Sequence, residues 1–91
     1  MFKTLEELIN VIRQRKVSSV KESYTKKLLD NKKLSVEKVK EEIAELIDSI
    51  EKNSNKVHEA ADVLYHLMVL LEANGIKIED VMEELKKRQK W

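Results

Sequence analysis

Five carboxylates stand at helical spacing on two segments of this chain. Glu41, Glu42 and Glu45 lie in KVKEEIAEL, and Glu59 and Asp62 lie in HEAADVLYHLMVLL. Residues three or four apart on a helix sit over one another on one face, so each segment presents a short acidic stripe. Two such helices side by side bring the stripes together, and crowded carboxylates repel unless a cation lies among them. Hard divalent ions such as Mg²⁺ take oxygen ligands, which makes Glu41, Glu42, Glu45, Glu59 and Asp62 the candidate metal ligands. Alone, the first stripe reads as a solvated helix face bridged to lysines. The second changes the balance. From Ala60 to Leu71 the chain is apolar on nearly every side; such a helix is buried, and a buried acid needs a partner or a metal. His66 extends the stripe by one turn. It reads as a core or interface histidine bonded to a backbone carbonyl, since an oxygen-rich site does not need it.

The elements that must position these groups are helices. The 91 residues contain no proline and one glycine, Gly75. Turn residues and β-branched alternation, the marks of a sheet, are absent. Thr4 with Glu7 forms a capping box for a first helix that fades near Arg15 or Lys16. Ser23 caps a short helix reaching about Asp30, and Asn31 to Leu34 reads as a connection. Ser35 is placed as the N-cap of the third helix, with Glu37 in its first turn. Val36, Val39, Ile43, Leu46, Ile47 and Ile50 mark its core face, with Glu42 at the border. Asn53-Ser54-Asn55 breaks the pattern. A fourth helix runs from about Lys56 to Asn74 and ends at Gly75. The last begins near Ile78 and carries Val81, Met82 and Leu85. The expectation is one all-α domain over residues 1–91, a bundle of four to five helices.

Composition narrows the classes of function. Charged residues make up 38% of the chain, yet the formal net charge is +1, so nothing draws it to nucleic acid or to an anionic membrane. Without cysteine there is no disulfide, thiolate metal site or cysteine nucleophile. The N-terminus lacks the apolar core of a signal peptide, and the longest apolar stretch is too short to span a bilayer. A cytoplasmic protein is expected. So small a core also favours self-association.

The segments ESYTKKLL (Glu22 to Leu29), KVKEEIAEL and EAADVLYHLMVLLEANGI (Glu59 to Ile76) resemble the phosphoribosyl-ATP pyrophosphohydrolases of histidine biosynthesis. These belong to the all-α, MazG-like nucleoside triphosphate pyrophosphatases, whose hallmark is E-E-x-x-E followed on the next helix by E-x-x-D. Here those segments are Glu41-Glu42-x-x-Glu45 and Glu59-x-x-Asp62. The likeness runs from Leu5 to Arg88. It departs at Lys40, where the family commonly has glycine, and at Lys77, where a small or polar cap is usual.

The resemblance implies Mg²⁺-dependent hydrolysis of phosphoribosyl-ATP to phosphoribosyl-AMP and pyrophosphate, by a stand-alone enzyme without the cyclohydrolase to which many relatives are fused. It implies five metal-binding carboxylates, with Glu42 or Glu45 free to accept a proton from the attacking water. The Ser23-Tyr24-Thr25 segment would hold substrate, although these residues also suffice simply to cap and anchor a short helix. Lys26 and Lys38 are candidates for phosphate, since lysine binds it as a point charge. A MazG-like bundle completed by homo-oligomerisation, as dimer or tetramer, is expected, with Tyr65 and its apolar neighbours in the core or the seam. Two alternatives remain at this point: a housekeeping pyrophosphatase of the same superfamily, and a helical interaction module without catalysis.

Overall fold

With no proline to interrupt them, the described residues form five helices: α1 (Lys3–Val17), α2 (Tyr24–Asp30), α3 (Lys32–Lys52), α4 (Lys56–Ala73) and α5 (Ile78–Lys87). The computed structural model describes residues 1–18 and 23–91, and among these there is no strand. Glu22, the first residue of the ESYT segment, lies outside the described residues.

The caps explain where the helices begin. Ser23 behaves as its sequence suggests, accepting the Lys26 N–H at 3.3 Å. Two other expectations are corrected. The Thr4 capping box does not form, because α1 already begins at Lys3, after Phe2, with no side-chain cap. Thr4 is thus inside the first turn, where a residue no longer has the non-helical backbone that capping needs. Likewise α3 begins at Lys32, capped by Asn31, whose side-chain oxygen accepts the Leu34 N–H at 3.1 Å. Asn31 closes α2 and opens α3 at once, so the connection is a single residue. Ser35 and Glu37 then fall inside the helix, Ser35 fully buried.

Between α3 and α4 the chain turns through Asn53 (φ +53°) and Asn55 (φ +56°), both left-handed. Asparagine tolerates that conformation better than other side chains do. At the far end of α4, Gly75 (φ +68°) donates to the Glu72 carbonyl at 3.2 Å, and Ile76 donates to that of Leu71 at 2.9 Å. This is a Schellman closure, the role expected of Gly75.

The all-round apolar α4 is the centre of the bundle, packed against α1, α2 and α3. Ile12, Leu28, Leu29, Met68, Val69 and Ala73 form the buried core. The expected core face of α3 holds at Val39, which is buried, but needs correction elsewhere: Val36, Ile43, Ile47 and Ile50 are exposed, and Glu42 and Ser49 are buried instead. Helix α3 is rotated so that its mixed stripe, glutamate included, meets α4, and the isoleucine stripe faces outward. Arg13 ties α1 to the other end of the bundle. Its guanidinium donates to Glu79 of α5 at 2.6 and 2.9 Å and to Glu72 of α4 at 3.4 Å. Beside that guanidinium the Glu79 carboxyl is held down to about 2.

Leu28 is fully buried and joins α2 to α4. Leu28→Ala should cost about 2–5 kcal/mol of stability in chemical denaturation; a loss well under 1 kcal/mol would show that α2 is not held by this contact.

Candidate metal centre

The αα-hairpin of α3 and α4 decides what the carboxylates can do. A three-residue turn forces the helices to lie antiparallel and adjacent, and α3 packs on α4 along its length. On α3, ligand oxygens of Glu41, Glu42 and Glu45 lie within 4.8 Å of one another. On α4, Glu59 and Asp62 form a second group of the same size with His58. The seam between the helices is bridged by Glu45, whose carboxylate is near enough to share a proton with both Glu42 and Glu59.

The electrostatics are those of crowded like charges. Glu42 is only 9% exposed. Burial, then the Glu45 carboxylate, and more weakly Asp62, raise its carboxyl above the ordinary 4.5; nearby His66 opposes them. Glu59 is raised in the same way by burial and then by Glu45. One carboxylate oxygen of Glu42 and one of Glu59 are buried without a hydrogen-bond partner. Cations are few. Lys38 pairs with Glu41 at 3.5 Å, and His58 reaches Asp62 at 3.5 Å. Orphaned buried oxygens on a set of oxygen donors are what a hard divalent cation satisfies, so these residues fit Mg²⁺. Glu41 is half exposed and engaged by Lys38.

An aromatic group borders the centre. The His66 Nδ1–H donates to the Asp62 carbonyl at 2.8 Å, and its Nε2 meets the Tyr24 hydroxyl at 3.0 Å. His66 is therefore the carbonyl-bonded histidine expected, and it links α2 to the backbone of a proposed ligand. Its ring stands edge-on to Tyr65 at 5.0 Å, and Tyr65 stacks on Tyr24. Thr25 bonds the Tyr65 hydroxyl. Burial raises the Tyr24 hydroxyl, and Lys38 opposes that shift. Tyr24 and Lys38 thus stand at the edge of the carboxylates. Ser23 is occupied as a cap. The Lys26 ammonium donates to the Lys16 carbonyl and pairs with Asp30, so it is anchored along α2 and the end of α1. His58 is an addition that the acidic pattern does not single out; its i, i+4 spacing to Asp62 is the signal that finds it.

A helical hairpin that gathers carboxylates from E-E-x-x-E and E-x-x-D onto one seam defines the class of all-α, MazG-like nucleoside triphosphate pyrophosphatases. Comparison with known proteins gives the particular branch: the phosphoribosyl-ATP pyrophosphohydrolase family model matches residues 5–89, and the chain belongs to that family. It is 41% identical to a phosphoribosyl-ATP pyrophosphatase of Methanococcoides burtonii, over 93% of this chain and 91% of that protein. A phosphoribosyl-ATP pyrophosphatase of Pyrobaculum calidifontis is 41% identical, over 94% and 95%. The chloroplastic histidine biosynthesis bifunctional protein hisIE of Arabidopsis thaliana is 44% identical over 93% of this chain, which spans 33% of that longer protein.

The raised carboxyls carry a sign for stability. A folded-state value above the unfolded one means stability that is full at low pH and lost as pH rises past about 4.5 through the raised value. At neutral pH without metal, Glu42→Gln should therefore raise the thermal midpoint. Added Mg²⁺ should raise the wild-type midpoint more than the variant's. A variant less stable than wild type in chelator would contradict the repulsion described here.

Proposed function

We propose that this protein hydrolyses phosphoribosyl-ATP to phosphoribosyl-AMP and pyrophosphate, the second step of histidine biosynthesis, in the cytoplasm and with Mg²⁺. Family membership supports the substrate and the reaction. The observation that carries the site is the pair of buried, unpartnered oxygens on Glu42 and Glu59, two residues that both interact with Glu45.

Glu41, Glu42, Glu45, Glu59 and Asp62 would hold the Mg²⁺. Bound there, the ion neutralises phosphate charge and activates water. The chain's own groups do the rest. Water attacks the phosphorus joined to the sugar, the bond to the bridging oxygen breaks, and pyrophosphate leaves with the electron pair. Glu42 or Glu45, whichever is not fully engaged as a ligand, accepts the water's proton. Glu42 already shows the raised affinity for a proton that suits this task. Tyr24 and Thr25 hold the rest of the substrate at the edge of the centre, with Lys38 near the phosphate that stays on the nucleoside product. Lys26 contributes from further along α2. Positioning and electrostatics supply the catalysis.

The chain works as a single domain, in a homodimer or tetramer. Val36, Ile43, Ile47 and Ile50 of α3 fall within about 60° of one another around the helix and are exposed in the single chain, as are Val57 and Leu64 of α4. A row of aliphatic side chains of this extent calls for a cover. Among the described residues no helix is long and apolar enough to cross a membrane; a second copy of the chain would supply that cover. Leu67, by contrast, packs against the core of its own chain, so Ile47 is the cleaner place to break an assembly.

The decisive assay is pyrophosphate release from phosphoribosyl-ATP with Mg²⁺. Asp62→Asn should lower it roughly a hundredfold or more, since even groups that merely support metal ligands cost ~10–100-fold when removed. Undiminished release in the variant would move the metal elsewhere. Faster release from common nucleoside triphosphates would place the chain in the housekeeping branch. Separately, Ile47→Asp should sediment as a monomer and lose activity; an active monomer would refute the shared assembly.

A further inference from the structure

The acidic centre has two unlike sides, and their difference orients the substrate. At ~100° per residue, Lys38, Glu45 and Lys52 fall on one line along α3, each lysine seven residues from Glu45. Seven residues are nearly two turns, roughly 10 Å along the axis. The side toward Lys38 is aromatic, built from Tyr24, Tyr65 and His66. The side toward Lys52 is a groove of about 430 Å³ over the α3–α4 turn. Four carboxylates line it, those of Glu41, Glu45, Asp48 and Glu59, together with Ser54 and Asn55. Apart from Ala44 its lining is polar, and Lys52 is the one cation among the described residues that line it. Such a surface has no aromatic face for a base to stack on; its carboxylates accept phosphate only with a divalent cation among them, and Lys52 is the one positive side chain there that draws it.

A pyrophosphohydrolase divides its substrate into two unequal products at the reacting phosphorus. One is a bare polyanion; the other carries sugars and base. We propose that the pyrophosphate portion lies in the groove over the α3–α4 turn and is received by Lys52, so that the nucleoside portion extends toward Tyr24 and Lys38. This rests on the phosphoribosyl-ATP reading above and assigns its direction. The i, i+4 pair of Lys52 with Asp48 at 3.0 Å holds the ammonium at the groove wall when substrate is absent. On binding, Lys52 exchanges that exposed partner for phosphate oxygens turned away from the carboxylates. Ser54 and the side chain of Asn55, which makes no capping bond to α4, supply neutral donors beside it. Lys52 is thus a specificity-determining contact for the leaving group.

The test is the binding of inorganic pyrophosphate, measured in Mg²⁺ by calorimetry and as product inhibition. Lys52→Gln should weaken it about tenfold, the loss of one charged contact, and should raise KM more than it lowers kcat. Lys52→Arg should recover most of the affinity, and Lys38→Gln should leave pyrophosphate affinity near wild type. Lys52 is exposed, so the fold survives these changes, which circular dichroism verifies. Full turnover with pyrophosphate affinity indifferent to Lys52→Gln, or lost in Lys38→Gln instead, would overturn the orientation alone. Magnesium-dependent pyrophosphate binding that needs Lys52, in a protein inert toward phosphoribosyl-ATP, would keep the groove and overturn the substrate. A wild-type protein that binds no pyrophosphate overturns the proposal.

Discussion

Like charge buried at one helix–helix seam is the constraint on which the rest of this molecule turns. Glu42 and Glu59 each place a carboxylate oxygen out of reach of water and of any hydrogen-bond partner, with Glu45 between them. Desolvation and mutual repulsion both oppose that arrangement, so the remaining contacts must hold α3 against α4. Helix α4 gains its hold from the opposite side, through Met68, Val69 and Ala73 in the core shared with α1 and α2. His66 adds a polar tether by joining the Asp62 carbonyl to Tyr24. The buried apolar cluster thus lies where α4 meets α1 and α2, and the carboxylates lie where it meets α3.

The same chain shows how acids behave when they serve structure instead. Glu72 and Glu79 meet Arg13, with Lys16 close to Glu72, and every charge in that group has an opposite partner. There the carboxyl of Glu79 is pushed down; at the α3–α4 seam Glu42 and Glu59 are pushed up. Opposite directions of shift, a few turns apart in one small bundle, separate an ion pair made for cohesion from a site made to receive a cation.

Much of this was legible in the residues, for identifiable reasons. Ser23 and Gly75 mark helix ends because their chemistry is local: a hydroxyl two or three residues from a free N–H, and a backbone that needs positive φ. The two acidic stripes were legible because spacing alone puts them on single faces. The error at Ser35 arose because Asn31, four residues earlier, is at least as good a cap, and the sequence does not rank two adjacent candidates. The core face of α3 was misread for a deeper reason. Periodicity finds the apolar stripe Val36–Ile43–Ile47–Ile50, but it does not name the surface that covers it. The chain turned the neighbouring stripe, with Glu42 and Ser49, inward and kept only Val39 of the expected face buried beside it. His58 is marked only by its i, i+4 spacing to Asp62, and Lys52 gains a role only once the hairpin sets it across a groove from Glu59.

The turn at Asn53–Asn55 has a consequence of a different kind. With two of its three residues held in the left-handed region, the connection has little slack, so it sets the angular phase of α4 against α3. One residue added or removed between Asn53 and Glu59 would shift that phase by about 100°, the advance of a single helical step. Glu59 and Asp62 would swing away from Glu45 while every ligand remained in the sequence. Chain length at this point is thus a chemical parameter in its own right. The site is encoded in the count of residues between the stripes as much as in the stripes themselves.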